Sequence, residues 1–154
     1  MAVRSLWPVL AVAILAAGCT PGAQSALSSQ RAANVVLVGE SLTKYGQTSS
    51  AFGMVGGFNP TIVVVAHGTP VQFHNEDSFN HTASRISVSS FPGGNPIPFS
   101  AQQQSGTDVS QPGWSCGLLT GNSFSQALGT STVGTYLFGC QIHYPFMRGV
   151  VIVQ

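Results

Sequence analysis

The sequence predicts an all-β sandwich. Three observations carry that reading. Glycine, proline, serine and threonine are abundant beyond the first thirty residues, while good helix formers are scarce. Short β-branched runs recur between turn signals. Where apolar and polar residues alternate, they do so with the two-residue period of a strand that buries one face. In chain order, Val35–Val38 reads as the first strand, and residues 40–57 as a polar, Gly-rich connection. Phe58-Asn59-Pro60 leads into a strand over Thr61–Val65, and Ala66–Pro70 is a turn. Val71–Asn75 alternates, which places Val71, Phe73 and Asn75 on one face and Gln72 and His74 on the other. Thr82–Val88 is the next strand. Residues 91–113, with several prolines and glycines and a run of three glutamines, read as a long surface excursion. Ser123–Leu128 is a further strand, Thr130–Gly134 a turn, and Thr135–Phe138 a strand running into Cys140. Arg148-Gly149 then turns the chain into the closing strand Val150–Val153.

The first residues follow different rules. Residues 1–18 carry one basic residue, Arg4, and an apolar run from Leu6 to Ala17 that ends in Leu15-Ala16-Ala17-Gly18-Cys19. That reads as a signal peptide with a lipobox-like cleavage site, after which Cys19 would become the lipid-modified first residue; a plain secretory signal or a short uncleaved anchor is the rival reading. The apolar run is short for a membrane span, so the expectation is an exported protein anchored by lipid to a membrane, on its periplasmic or extracellular side. Residues 19–33, rich in Ser, Ala, Gln, Gly and Pro, read as a flexible tether. Residues 34–154 make one domain.

Charge is sparse. Beyond the leader, Arg31, Lys44, Arg85 and Arg148 balance Glu40, Glu76, Asp77 and Asp108. Nothing resembles the basic patch that nucleic acid requires. Strong electrostatic steering of a protein partner is also unexpected, which favours docking through a mild apolar patch.

The chemistry gathers near the end of the chain, in Cys140-Gln141-Ile142-His143-Tyr144-Pro145-Phe146-Met147. A thiolate, an imidazole and a thioether on one short loop form a soft donor set that suits copper. One further histidine would complete a His₂Cys site with a weak axial Met, and His81 is the best candidate for it. A disulfide between Cys116 and Cys140 is the rival reading of Cys140, but it leaves His143 and Met147 without a role. Cys116 then reads as a buried free thiol near Trp114. His67, in a turn, and His74, on the outward face of a strand, read as surface residues. Trp114 and Cys116 are expected to form a small cluster belonging to the excursion.

On these residues the chain resembles the cupredoxins, small blue copper proteins of the plastocyanin and amicyanin kind. The resemblance covers residues 58–90 and 123–154. It rests upstream on Phe58-Asn59-Pro60-Thr61-Ile62, Gly68–Phe73, Asn75, Asp77 and His81-Thr82. Downstream it rests on Gly134-Thr135-Tyr136, Cys140, His143, Pro145-Phe146-Met147 and Gly149. It implies a Greek-key β-sandwich or barrel of the cupredoxin type, and one type 1 copper ion. His81 and His143 would bind through ring nitrogens, Cys140 through its thiolate and Met147 weakly through sulfur. Asn75 would stand behind the ligands and hold the two ligand-bearing segments together. Pro145 and Phe146 would form part of an apolar rim on which redox partner proteins dock. The chain departs from the family in two places: plastocyanins put four residues between the second histidine and the methionine and amicyanins two, whereas Tyr144, Pro145 and Phe146 make three here, and the stretch between His81 and Cys140 carries an extra polar excursion.

The function these residues imply is a membrane-tethered, monomeric single-electron carrier outside the cytoplasm, not an enzyme. Multicopper oxidases need paired histidines for a trinuclear cluster, and this chain has four histidines and no His-x-His. Two other readings remain open at this point. One is copper handling for delivery to an oxidase, which the scarcity of methionine disfavours. The other is a metal-free β-sandwich interaction module in which Cys116 and Cys140 are joined.

Overall fold

The computed structural model describes the backbone of Ala33–Leu37 and residues 46–154. The expected signal peptide, Cys19 and nearly all of the expected tether lie outside the described residues.

Short runs of β-branched and aromatic residues between glycines and prolines give strands in place of helices. They are β1 (Ala33–Leu37), β2 (Thr48–Ser50), β3 (Gly53–Val55), β4 (Phe58–Asn59), β5 (Ile62–Val65), β6 (Val71–Asn75), β7 (Ser84–Ile86), β8 (Gln104–Ser105), β9 (Ser115–Cys116), β10 (Gly134–Gly139) and β11 (Arg148–Val153). Among the described residues the only helical piece is a 3₁₀ turn over Phe99–Gln102, and no helix is long and apolar enough to cross a membrane. One sheet has the order β4-β1-β6, with β1 antiparallel to β4 and parallel to β6. The other has the order β5-β11-β10-β7-β9-β8, in which β10 and β11 pair antiparallel and β5 joins β11 in parallel. β2 and β3 form a separate hairpin.

The alternation expected of β6 is what the fold uses. Val71, Phe73 and Asn75 are buried and Gln72 and His74 are half-buried. β5 behaves likewise, burying Val63 and Val65 and exposing Val64. Between the sheets, Phe58 meets Phe138 edge-on with centroids 4.8 Å apart, and Phe73 stacks on Trp114 at 5.9 Å. Both are favoured geometries for aromatic quadrupoles. Val71, Leu128, Val151 and Val153 close around these rings.

Several expected elements differ. Residues 91–113 are not merely a surface excursion. They bury Ile97, Ala101 and Val109, and with β8 and β9 they extend the larger sheet. Trp114 and Cys116 belong to the central core rather than to a satellite cluster, and the indole N–H donates to the Val109 carbonyl at 2.8 Å. The closing strand begins at Arg148, with Arg148 opposite Gly139 and Gly149 opposite Phe138, so these two residues are strand and not turn. The connection at 40–57 contains the β2–β3 hairpin and buries Val55. The strand expected over Thr82–Val88 is confined to Ser84–Ile86. Residues 123–128 form only isolated bridges, His74 to Phe124 and Val71 to Leu128.

Candidate metal centre

Adjacent antiparallel strands build one side of the site. Cys140 follows β10 directly and Met147 precedes β11 directly. The Cys140 N–H donates to the Met147 carbonyl at 3.1 Å, which closes the intervening loop. Inside it, the N–H groups of Phe146 and Met147 both donate to the His143 carbonyl, at 2.9 and 3.2 Å. This tight turn brings His143 back toward Cys140. The other side is an irregular segment before β7, where His81 and Leu119 exchange backbone hydrogen bonds of 3.0 and 2.8 Å.

Thr82 joins the two sides. Its N–H donates to Cys140 Sγ at 3.4 Å, and its hydroxyl accepts the Gln141 N–H at 2.8 Å. Asn75, expected in that role, bonds elsewhere. Its amide donates to the carbonyls of Phe79 (2.7 Å) and Leu119 (2.9 Å), and its oxygen accepts the Asp77 N–H at 3.0 Å. Asn75 therefore shapes the loop that leads to His81, and Thr82 ties that segment to the cysteine loop. The reason is reach: Asn75 ends β6, whereas Thr82 is next to the ligand itself.

The side chains of His81, Cys140 and His143 converge, with one donor atom from each lying within 4.8 Å of the others. Cys140 Sγ is 3.8 Å from His81 Nδ1 and 3.5 Å from His143 Nδ1, and the two nitrogens are 3.0 Å apart. A metal ion with bonds of about 2.0 Å to nitrogen and about 2.3 Å to sulfur, all in one plane, sets N···S at about 3.8 Å and N···N at about 3.5 Å. The sulfur distances match, and the nitrogen pair is closer by about half an ångström. The donor set and its spacing thus fit a metal ion with a soft, thiolate-accepting preference. His81 and Cys140 are fully buried, and His143 is half-exposed.

Met147 is fully buried on the same loop. Gly57 makes room for it. That glycine has φ +70°, and a Cβ there would stand 2.9 Å from Met147 Cβ and 3.0 Å from its Cα. His67 and His74 take no part in the cluster. His67 bonds the Ser131 carbonyl at 2.9 Å, and the His74 ring stacks on Phe124 at 3.9 Å.

Electrostatics separates the two core cysteines. Burial opposes ionisation of Cys140, but hydrogen bonds from His143 and His81 and from the Thr82 N–H outweigh it and bring the thiol down to about 6. Cys116, buried without an imidazole neighbour, is pushed up to about 12 despite the Ala83 N–H on its sulfur at 3.0 Å. Both cysteines are free. Asp77 was legible only as part of a spacing, yet its Oδ2 lies 2.8 Å from His81 Nε2, with both side chains buried. Burial alone would raise the Asp77 carboxyl; the bonds to His81 and to the Phe79 and Ser78 N–H groups hold it below its ordinary value. Burial would likewise lower His81, and its bonds to Cys140 and Asp77 raise it.

Around His143 the surface is apolar. Ile142 and Phe146 are exposed, and Pro145 is half-buried with its carbonyl accepting the Gln47 amide at 3.0 Å.

No protein-family model and no curated protein matches the chain. Solved structures do. A purple cupredoxin from Nitrosopumilus maritimus superposes with a TM-score of 0.50 at 18% identity, over 79% of this chain and 99% of that one. The chain has a cupredoxin fold. Other matches are a copper-containing nitrite reductase from Thermus scotoductus and a mutant of amicyanin in its Cu(I) form. The reductase aligns at 20% identity and a TM-score of 0.48, over 80% of this chain and 22% of the enzyme. The amicyanin aligns at 16% identity and a TM-score of 0.47, over 80% and 82%. Within the cupredoxin fold of this chain, the loop between β10 and β11 and the segment before β7 meet at one end of the sandwich, which is where the donor cluster lies.

Proposed function

We propose that the chain is a copper protein that carries single electrons between partner proteins outside the cytoplasm, held as a monomer at a membrane by lipid on Cys19. The observation that carries this reading is the convergence of His81 Nδ1, His143 Nδ1 and Cys140 Sγ on one point, inside a frame tied together by bonds that do not involve a metal. Met147 is assigned the weak fourth position from its burial on the same loop. Copper supplies a one-electron couple when bound. The residues supply the rest. His81 and Cys140 are buried and fixed, while the half-exposed His143, ringed by Ile142, Pro145 and Phe146, offers an edge through which an electron passes to a docked partner. Of the charged residues among the described ones, only Glu76 is exposed; Arg85 is half-buried, and Asp77, Asp108 and Arg148 are buried. Docking at this end therefore rests on apolar contact rather than on long-range attraction.

The test is a visible and paramagnetic-resonance spectrum of the copper-loaded domain, made without its first nineteen residues. An intense thiolate-to-copper band that disappears in Cys140→Ser is the expected result. A protein that binds only Cu(I), without colour in any state, would instead support copper handling. A native disulfide between Cys116 and Cys140 would end the copper reading.

A further inference from the structure

His81 is the one donor whose second ring nitrogen is held by an ion. Its Nε2 lies 2.8 Å from Asp77 Oδ2, with side-chain exposures of 0% and 1%. The surroundings fix both members of the pair. Asp77 Oδ1 is occupied by the Phe79 N–H at 3.3 Å and the Ser78 hydroxyl at 3.4 Å, which leaves Oδ2 for the histidine. The Asp77 N–H is fixed by Asn75 Oδ1, and Asn75 is in turn anchored to the Leu119 carbonyl at 2.9 Å. Leu119 also holds the His81 backbone from both directions. Ring and carboxylate are thus referenced to the same segment and cannot drift apart independently. A carboxylate can only accept, so Nε2 carries a proton, and with copper in place Nδ1 is the ring nitrogen whose lone pair would bind it. For His143, no hydrogen bond to the second ring nitrogen is found among the described residues, and the ring is half-exposed.

Resting on the copper reading above, we propose that Asp77 is a positioning residue that fixes the Nε2–H tautomer of His81 and biases the site toward the oxidised ion. A buried negative charge on the far side of the ring makes the imidazole a stronger donor. It also lies close to the metal in a medium that screens poorly. Both effects favour the more highly charged Cu(II) over Cu(I). A neutral acceptor in the same place would fix the tautomer and lose the bias.

The experiment follows from that difference. In Asp77→Asn the side-chain oxygen can still accept the Nε2–H, so the substitution removes the charge and keeps the bond. Reduction potentials of the copper-loaded wild type and variant are measured by spectroelectrochemical titration, beside unfolding of both metal-free proteins. The expected result is a loss of about tenfold in the preference for Cu(II) over Cu(I), a rise of about 59 mV for one electron, with the visible band retained. A residue that only shaped the loop would move the unfolding midpoint and leave the potential where it was, and that outcome overturns the proposal. Nitrogen-15 correlation spectra of the diamagnetic Cu(I) wild type give an answer even if the variant does not fold. A proton on His81 Nε2 is expected, and a proton on Nδ1 refutes the assignment. The two readings fail separately. A wild type that gives no thiolate-to-copper band removes the copper proposal, whereas a coloured wild type with an unmoved Asp77→Asn potential removes only this one.

Discussion

Gly57 is the position where the cost of one methyl group can be worked out most directly. It has φ +70°, and its missing Cβ would fall 2.9 and 3.0 Å from Cβ and Cα of Met147, closer than van der Waals contact allows. Gly57→Ala therefore carries two penalties. Holding a residue with a Cβ in the left-handed region costs about 1–2 kcal/mol. Forcing an extra carbon into a packed core costs about 1–3 kcal/mol more. The sum is about 2–5 kcal/mol, and for a urea dependence near 2 kcal/mol per molar the midpoint of the metal-free domain falls by about 1–2.5 M. Gly68 provides the control. Its φ is +82°, but nothing lies within 4 Å of its ideal Cβ, so Gly68→Ala carries only the backbone term. The assay is paired urea unfolding of the two variants and the wild type. Equal losses in the two variants would refute the claim that Met147 is held by close contact with the Gly57 backbone. A larger loss at Gly57 confirms the contact, and the displaced Met147 should then also alter the visible spectrum of the copper form.

Thr82→Val removes the acceptor for the Gln141 N–H at 2.8 Å while keeping the side-chain shape. Stability should fall by about 1–3 kcal/mol in denaturant titration, and Thr82→Ser should restore most of it. Asp108 accepts bonds from the Ser110 N–H and hydroxyl at 2.8 and 2.6 Å and from the Ser131 N–H at 2.8 Å. Burial would raise its carboxyl, but these bonds from Ser110 and Ser131 hold it below 3.8. A carboxyl depressed by folding stabilises the native state above its unfolded value and loses that contribution as the pH falls through the folded one. The stability gap between wild type and Asp108→Asn, measured by unfolding, should thus be widest near neutrality and shrink below about pH 3.8.

Much of this was legible in the sequence because the features are local. The alternation of Val71–Asn75 specifies one buried face regardless of what covers it. Cys140, His143 and Met147 fall within eight residues, so one short loop must bring them near one another. His81 could be paired with them through its chemistry. Other features were hidden because they depend on what packs against them. Arg148-Gly149 looks like a turn, yet Gly149 is glycine because the Phe138 ring lies over it: a Cβ would meet Phe138 Cε1 at 2.8 Å. Arg148 is buried as a strand residue, with its guanidinium over the rings of Phe91 and Tyr144 at 5.1 and 5.5 Å. Ile97, Ala101 and Val109 are spaced without any period among prolines and glycines, so nothing marks them as core until the fold closes over them. Asp77 did leave a signal, an acid four residues before a candidate ligand, whose value depends on the loop folding back on itself.

The two buried cysteines show what sets a candidate metal donor apart from an ordinary core thiol. Each lies in the same cluster of apolar side chains, and each sulfur accepts one backbone N–H, from Thr82 for Cys140 and from Ala83 for Cys116. By burial alone both would be inert thiols. One is held near 6 and the other near 12: burial raises both, hydrogen bonds led by the two imidazoles lower Cys140, and the neighbouring Cys140 sulfur raises Cys116 further. The two imidazoles thus favour ionisation at one position of the core. The backbone bond between Cys140 and Met147, the Thr82 bridge and the His81–Leu119 pairing hold the donors in place through groups that do not change when a metal changes its charge. Bracing of that kind favours the proposed electron carrier over copper handling, because a carrier needs a site that does not rearrange between oxidation states and a site that hands over its metal does not.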